Sequence, residues 1–258
     1  MTVTDLQSMV PKHSMLGMRL DYMAPQVFLD EFIALAKLKK DVYCCVPDVY
    51  QCITCYDDPE HMKIVNEADY VFSDSTILQK ARGWRHGVKP IQTMLGSKLM
   101  LELCDRAEKQ SVSIALIGGR NDAALRSLET ALMKQFPNLT IAFSYSPPFR
   151  ELTPDEEVQM LHGLGKSKAQ LIFVGLGCPK QERWMAKYKG KINAAMIGVG
   201  AAFDTNSGAV KSSPDFVHRL GFEWLFRFIR EPRRLYRRYM IQAPRFLWLL
   251  FWDRRASN

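Results

Sequence analysis

The chain predicts an α/β fold, a Rossmann-like parallel sheet with flanking helices, followed by a basic, aromatic-rich helical appendage. Three observations carry that prediction. Short β-rich runs each end in Gly, Asp or Pro; amphipathic stretches of helical length lie between them; and the texture changes abruptly after Gly208. With 258 residues, 47% hydrophobic and 24% charged, the composition suits a folded body and excludes disordered, collagenous and low-complexity classes.

In chain order, apolar residues recur at helical spacing over 26–39, and a β-rich run follows at 43–46. A second run, 69–72, leads through Ser75 and Thr76 into another helical pattern. Residues 97–110 read as a helix, 112–117 as a strand and 122–136 as a helix. At 153–165, Thr153 reads as an N-cap, Pro154 as the first helical position, and acids fill the first turn. Residues 170–174 and 194–199 read as the last two strands, with a helix opening at Pro179 between them. Strands and helices alternating in this way imply βαβ units and a sheet covered on both faces. The segment Lys211-Ser-Ser-Pro214 reads as a connector, so 1–209 is expected to form the catalytic body and 210–258 the appendage, broken at Pro232 and Pro244.

Charge is unevenly placed. The formal net charge is +8, yet residues 219–258 hold ten Arg, no Lys and three acids, a net +7 that leaves +1 for everything before. A near-neutral body with a basic tail points to an anionic ligand or surface. Six Cys without an apolar leader near Met1 argue for reduced thiols in a cytoplasm. The pair Cys52-Ile-Thr-Cys55 has redox or zinc spacing, but no second pair or His cluster accompanies it, so no metal or other cofactor is expected. The longest apolar run, Phe246 to Trp252, is far short of the ~20 residues that span a bilayer.

Ligands of open parallel sheets bind beyond the carboxyl ends of the strands. Glycines cluster at three such ends: Gly118 and Gly119, Gly175 and Gly177, and Gly198 and Gly200. Any one of them suits a tight corner as well as a ligand, but three in one sheet favour a nucleotide diphosphate lying across the turns. Neither the dinucleotide fingerprint nor a P-loop is complete, because Lys180 stands where the third glycine belongs. An NAD-dependent oxidoreductase is therefore disfavoured. Pro179 starts a helix that sets Lys180, Gln181 and Glu182 beside the glycine turn. Asp74 closes its strand and reads as a general base or, by spacing alone, as the N-cap of the next helix; Asp48 stands comparably after Val46-Pro47. No D-x-D pair occurs to hold a divalent metal. Arg227, Arg230, Arg234 and Arg237 recur near one helical face, among aromatics that suit a lipid headgroup boundary better than a nucleic-acid backbone. A non-enzymatic membrane- or RNA-binding module with a Rossmann-like body is the alternative function class.

Together these residues resemble the WecG/TagA/CpsF glycosyltransferases (glycosyltransferase family 26). The resemblance runs through Val71-Phe-Ser-Asp-Ser75, Ala115-Leu-Ile-Gly-Gly119, Phe143-Ser-Tyr-Ser-Pro-Pro-Phe149, Phe173-Val-Gly-Leu-Gly-Cys-Pro-Lys-Gln-Glu182, Ile197-Gly-Val-Gly200 with Phe203-Asp204, and the Arg-rich tail. It implies a metal-independent, inverting transfer of a hexose or N-acetylhexosamine, of glucose or N-acetylmannosamine type, from a UDP-sugar to a polyprenyl-diphosphate-linked sugar. The work would take place at the inner face of the cytoplasmic membrane, in making exopolysaccharide, capsule or a similar polymer. It assigns Asp74 as the base and Gln181 as the cleft glutamine. Asp48, Gly118, Gly119, Gly175, Gly177, Pro179, Lys180, Glu182 and Gly200 would form the nucleotide-sugar site, with Asp204 near the uracil. Arg227, Arg234 and Arg237 would embrace the lipid diphosphate. A homo-oligomer is compatible with the family and nucleic acid is not an expected partner. Two segments depart from the family pattern: Val46-Pro47-Asp48 replaces Thr-x-Asn, and Thr93-Met-Leu-Gly96 replaces Arg-x-x-Gly.

Overall fold

The computed structural model describes residues 10–209, 225, 228–229 and 232–252, with Arg234 by its backbone alone. The elements are β1 (Lys12–Met15), β2 (Met18–Asp21), α1 (Pro25–Lys37), β3 (Val42–Cys45), α2 (Val49–Asp57), α3 (Pro59–Asn66), β4 (Tyr70–Val71), α4 (Thr76–His86) and α5 (Gly96–Lys109). They continue with β5 (Ile114–Gly118), α6 (Asp122–Gln135), β6 (Ile141–Tyr145), α7 (Pro154–Ser167), β7 (Leu171–Gly175), α8 (Lys180–Tyr188), β8 (Ala195–Gly198) and α9 (Ala202–Asn206). In the tail, α10 (Pro232–Tyr236) runs through a π-helical turn (Arg237–Gln242) into α11 (Ala243–Trp252). The sequence-predicted connector 211–214, and with it Arg227 and Arg230, lies outside the described residues.

Six strands form a parallel sheet in the order β4-β3-β8-β7-β5-β6. The five expected strands are all present and every neighbouring pair is parallel. Strand side chains alternate between two cores, as a sheet buried on both faces requires. From β5, Ala115 and Ile117 join a core shared with α2, α3, α7 and α8, while Ile114 and Leu116 join another shared with α1, α5 and α6. The expected cap of α7 is a complete capping box: Thr153 Oγ1 accepts from Glu156 N at 3.3 Å, and Glu156 Oε2 accepts from Thr153 N at 2.8 Å.

Helices α2, α3 and α9, the β1–β2 hairpin and β6 were not read from the sequence. The β1–β2 hairpin turns on Leu16 and Gly17, both at positive φ, and Leu is a poor marker for a turn that favours Asn or Gly. Edge strand β6 is only half-buried along its length, so it lacks the continuous apolar run of its neighbours. Pro244 does not break the tail. It lies at the junction of the π-helical turn and α11, inside one continuous helical run. Phe246, Leu249 and Leu250 on the inner face of α11 are buried in the same core as Ile53 and Leu78, while Leu247, Trp248, Phe251 and Trp252 face outward. Among the described residues, no helix is long and apolar enough to cross a membrane.

Candidate active site

The carboxyl ends of β3, β4, β5, β7 and β8 open onto one cavity of about 1110 Å³, large enough for a nucleotide and a sugar. Helices α2, α4, α5 and α8 begin at its rim, with Val49, Thr76, Gly96 and Lys180 among the lining residues. Their first-turn N–H groups and positive dipole ends make the rim suited to a phosphorylated ligand.

Beyond β4, Ser73 Oγ donates to Pro47 O at 2.8 Å and accepts from Ser75 N at 3.1 Å, which holds the loop against the end of β3. Ser75, not Asp74, caps α4: its Oγ accepts from Leu78 N at 3.3 Å. The cap that spacing alone favours for Asp74 is therefore corrected, because a serine one residue later has the extended backbone an N-cap needs. Asp74 lines the cavity instead, where its Oδ2 accepts from Gly96 N, the first residue of α5, at 3.0 Å. Asp48 does cap its helix: Oδ1 accepts from Gln51 N at 3.0 Å. Its Oδ2 pairs with Arg238 from the tail, whose guanidinium lies 5.5 Å from the Tyr50 ring centroid. This ion pair brings the π-helical turn onto the body at the cavity wall.

At the end of β5 the two glycines have different tasks. Gly118 has φ +136°, and a Cβ there would stand 2.6 Å from Gly175 O. It permits the β5–β7 approach and does not line the cavity, whereas Gly119 does. The next residue, Arg120, forks onto Asp204: Nε donates to both carboxylate oxygens at 3.1 Å and Nη2 to Oδ2 at 3.0 Å. Gly175, Gly177, Pro179, Lys180, Gln181, Gly200 and Asp204 all line the same space.

Glu182 stands behind the wall. One residue beyond Gln181 on α8, it is turned by about 100° of helix into the core, where it is 0% exposed. Burial pushes its carboxyl up to about 7. Its Oε1 accepts from Gln181 Nε2 at 2.8 Å. His61 and Glu182, behind the wall, and Cys178, which lines the cavity, bring one nitrogen, one oxygen and one sulfur within 4.8 Å of one another, the one such grouping found among the described residues. Burial pushes the imidazole below its ordinary value and keeps the thiol protonated. Cys52 and Cys55 are buried free thiols, with burial pushing Cys55 up to about 12.

The structure thus brings Asp48, Asp74, Gln181, Asp204 and most of the glycine turns together, and leaves Gly118 and Glu182 off the cavity. Arg237 is exposed and absent from the lining, while its neighbour Arg238 is part of it. The Arg234 side chain and Arg227 lie outside the described residues. Sequence reasoning did not single out Gln51, Tyr50, Arg120 or Arg238. Arg120 was findable, since a cation directly after a Gly-Gly strand end faces any ligand bound there; the pairing of Arg238 with Asp48, 190 residues apart, was not. The arrangement offers a carboxylate able to take a proton, cations at the strand ends and helix N-termini for phosphate. A model of the glycosyl transferase WecG/TagA/CpsF family matches residues 13–258, nearly the whole chain. The chain belongs to that family and is a glycosyltransferase.

Proposed function

We propose that this WecG/TagA/CpsF glycosyltransferase moves a hexose or N-acetylhexosamine from a UDP-sugar to a polyprenyl-diphosphate-linked sugar, inverting the anomeric carbon in one in-line step. The observation that carries the reading is the place of Asp74: a carboxylate at a strand end, held by the Gly96 N–H and facing a cavity ringed by glycine turns and helix N-termini. Asp74 takes the proton of the acceptor hydroxyl as it attacks. The leaving UDP gathers negative charge, met by backbone N–H groups at the rim and by cations. The lack of a D-x-D pair supports a reaction run without a metal. Asp204 and Arg120, joined to each other at the end of β8 and β5, form the wall for the nucleotide. The body, 1–209, carries the donor site. The tail, 210–258, supplies arginines to the lipid diphosphate and an outward aromatic face, Trp248, Phe251 and Trp252, to the inner face of the cytoplasmic membrane.

The test is release of UDP from UDP-glucose, UDP-N-acetylglucosamine, UDP-N-acetylmannosamine and UDP-N-acetylmannosaminuronate in EDTA, with and without a polyprenyl-diphosphate-sugar acceptor. Acceptor-dependent release from one donor is expected. Release that requires an added divalent cation, or none with any donor, contradicts the proposal.

A further inference from the structure

Gln181 is 4% exposed and lines the cavity, but only half of its amide is accounted for. Nε2 donates to Glu182 Oε1 at 2.8 Å, whereas Oε1 is buried without a partner. The amide lies against two glycines at the end of β8. A Cβ on Gly198 would stand 2.8 Å from Nε2, and one on Gly200 would stand 3.3 Å from Oε1. The end of β8 is thus left free of side chains where this amide packs. Gln51 of α2 lies near the same Glu182 carboxyl group. Its Nε2 and Glu182 Oε2 are both buried with no hydrogen-bond partner among the described residues. Gln51 lines the cavity too.

We propose that Glu182 is a positioning residue: its buried carboxyl group holds the N–H side of the Gln181 amide, and so presents its carbonyl oxygen to the ligand as an acceptor. An amide side chain alone has no preference between its two faces, since a 180° flip exchanges oxygen and NH2 at little cost. A fixed carboxyl oxygen that accepts from one side of the amide removes that freedom. A buried oxygen without a partner is costly, and Gln181 Oε1 is matched by a hydroxyl or N–H of the bound ligand. This deepens the glycosyltransfer reading and rests on it for the identity of that ligand. The positioning itself does not.

Two variants and two readouts test it in the full-length protein. Glu182→Leu removes both acceptor oxygens; Glu182→Gln keeps one for Gln181. In 15N-labelled protein, the Gln181 side-chain NH2 pair is identified by its loss in Gln181→Ala. The pair is expected to be resolved and shifted in the parent protein, to collapse to free-glutamine positions in Glu182→Leu, and to be largely restored in Glu182→Gln. In the transfer assay, Glu182→Leu is expected to lose kcat by on the order of a hundredfold with a smaller change in donor KM, and Glu182→Gln to recover most of the loss. An unchanged Gln181 pair in Glu182→Leu overturns the proposal, and so does equal loss in both variants that follows the folded fraction. Should no donor be turned over by the parent protein, the glycosyltransfer reading fails while the NMR comparison still decides the positioning.

Discussion

Asp74 and Glu182 are two carboxylates of the same cavity region with opposite surroundings, and their environments set different expectations. Asp74 faces the cavity and accepts from a backbone N–H that an amide oxygen would accept equally well. Asp74→Asn is therefore expected to keep its geometry and its UDP affinity while losing about 10²–10⁴ in turnover; calorimetric UDP titration beside the UDP-release assay checks both halves. Retained turnover would leave Asp74 only its contact to α5. Glu182 is held neutral by burial up to about 7, against an ordinary value of 4.5. Around it, burial keeps the thiols of Cys45, Cys55 and Cys178 protonated and pushes the His61 imidazole below its ordinary value. Between about 4.5 and 7 the folded state holds a proton that the unfolded chain has released, so this carboxyl makes stability fall as pH rises through that window. Denaturant unfolding at pH 5 and pH 7.5 should show Glu182→Gln gaining on the parent protein at the higher pH. A constant difference would mean that Glu182 ionises normally.

At the scale of elements, the start of α7 was legible because capping is local chemistry. Thr153 to Glu156 spells the capping box of α7, and it forms as spelled. Thr153→Ala is expected to cost about 1 kcal/mol, read as a lowered unfolding midpoint with UDP binding unchanged. Strand positions were equally legible where both faces are buried, since such strands are apolar without interruption. The hairpin and β6 escaped notice because their registers depend on turns and neighbours distant in sequence. Helix α11 also shows the limit of local reading. Its run from Phe246 to Trp252 has the composition of a membrane-facing segment, yet Phe246 is 0% exposed in the core of the body. Phe246→Ala is expected to cost about 3–5 kcal/mol, measured by denaturant unfolding, whereas Trp248→Ser, on the outer face, should leave stability nearly unchanged.

For the whole molecule, that packing changes how the tail is tested. Deleting everything after residue 209 would remove Leu235, Phe246, Leu249 and Leu250 from the buried core, so lost activity alone would not locate the lipid site. Substituting the outer face separates the two effects. A Trp248→Ser, Trp252→Ser double variant is expected to fold normally and to bind sedimenting vesicles of anionic phospholipid severalfold more weakly than the parent protein. Equal binding would remove the aromatic face from the membrane contact.

The amino-acid sequence by itself determined the parallel sheet, the alternation of helices that covers it, the glycine turns at the strand ends and the asymmetry of charge, because each is written in short-range periodicity and composition. It also brought Asp48, Asp74 and Gln181 forward as a set, since residues at the ends of parallel strands share one edge whatever the strand order, while Asp204 came forward through the family resemblance. Only the tertiary structure decided which way each of them faces. Strand order set β8 between β3 and β7, the helical turn sent Glu182 inward behind Gln181, and the return of the tail paired Arg238 with Asp48. Those contacts join residues far apart in the chain, and their energies depend on burial and direction that no local pattern encodes.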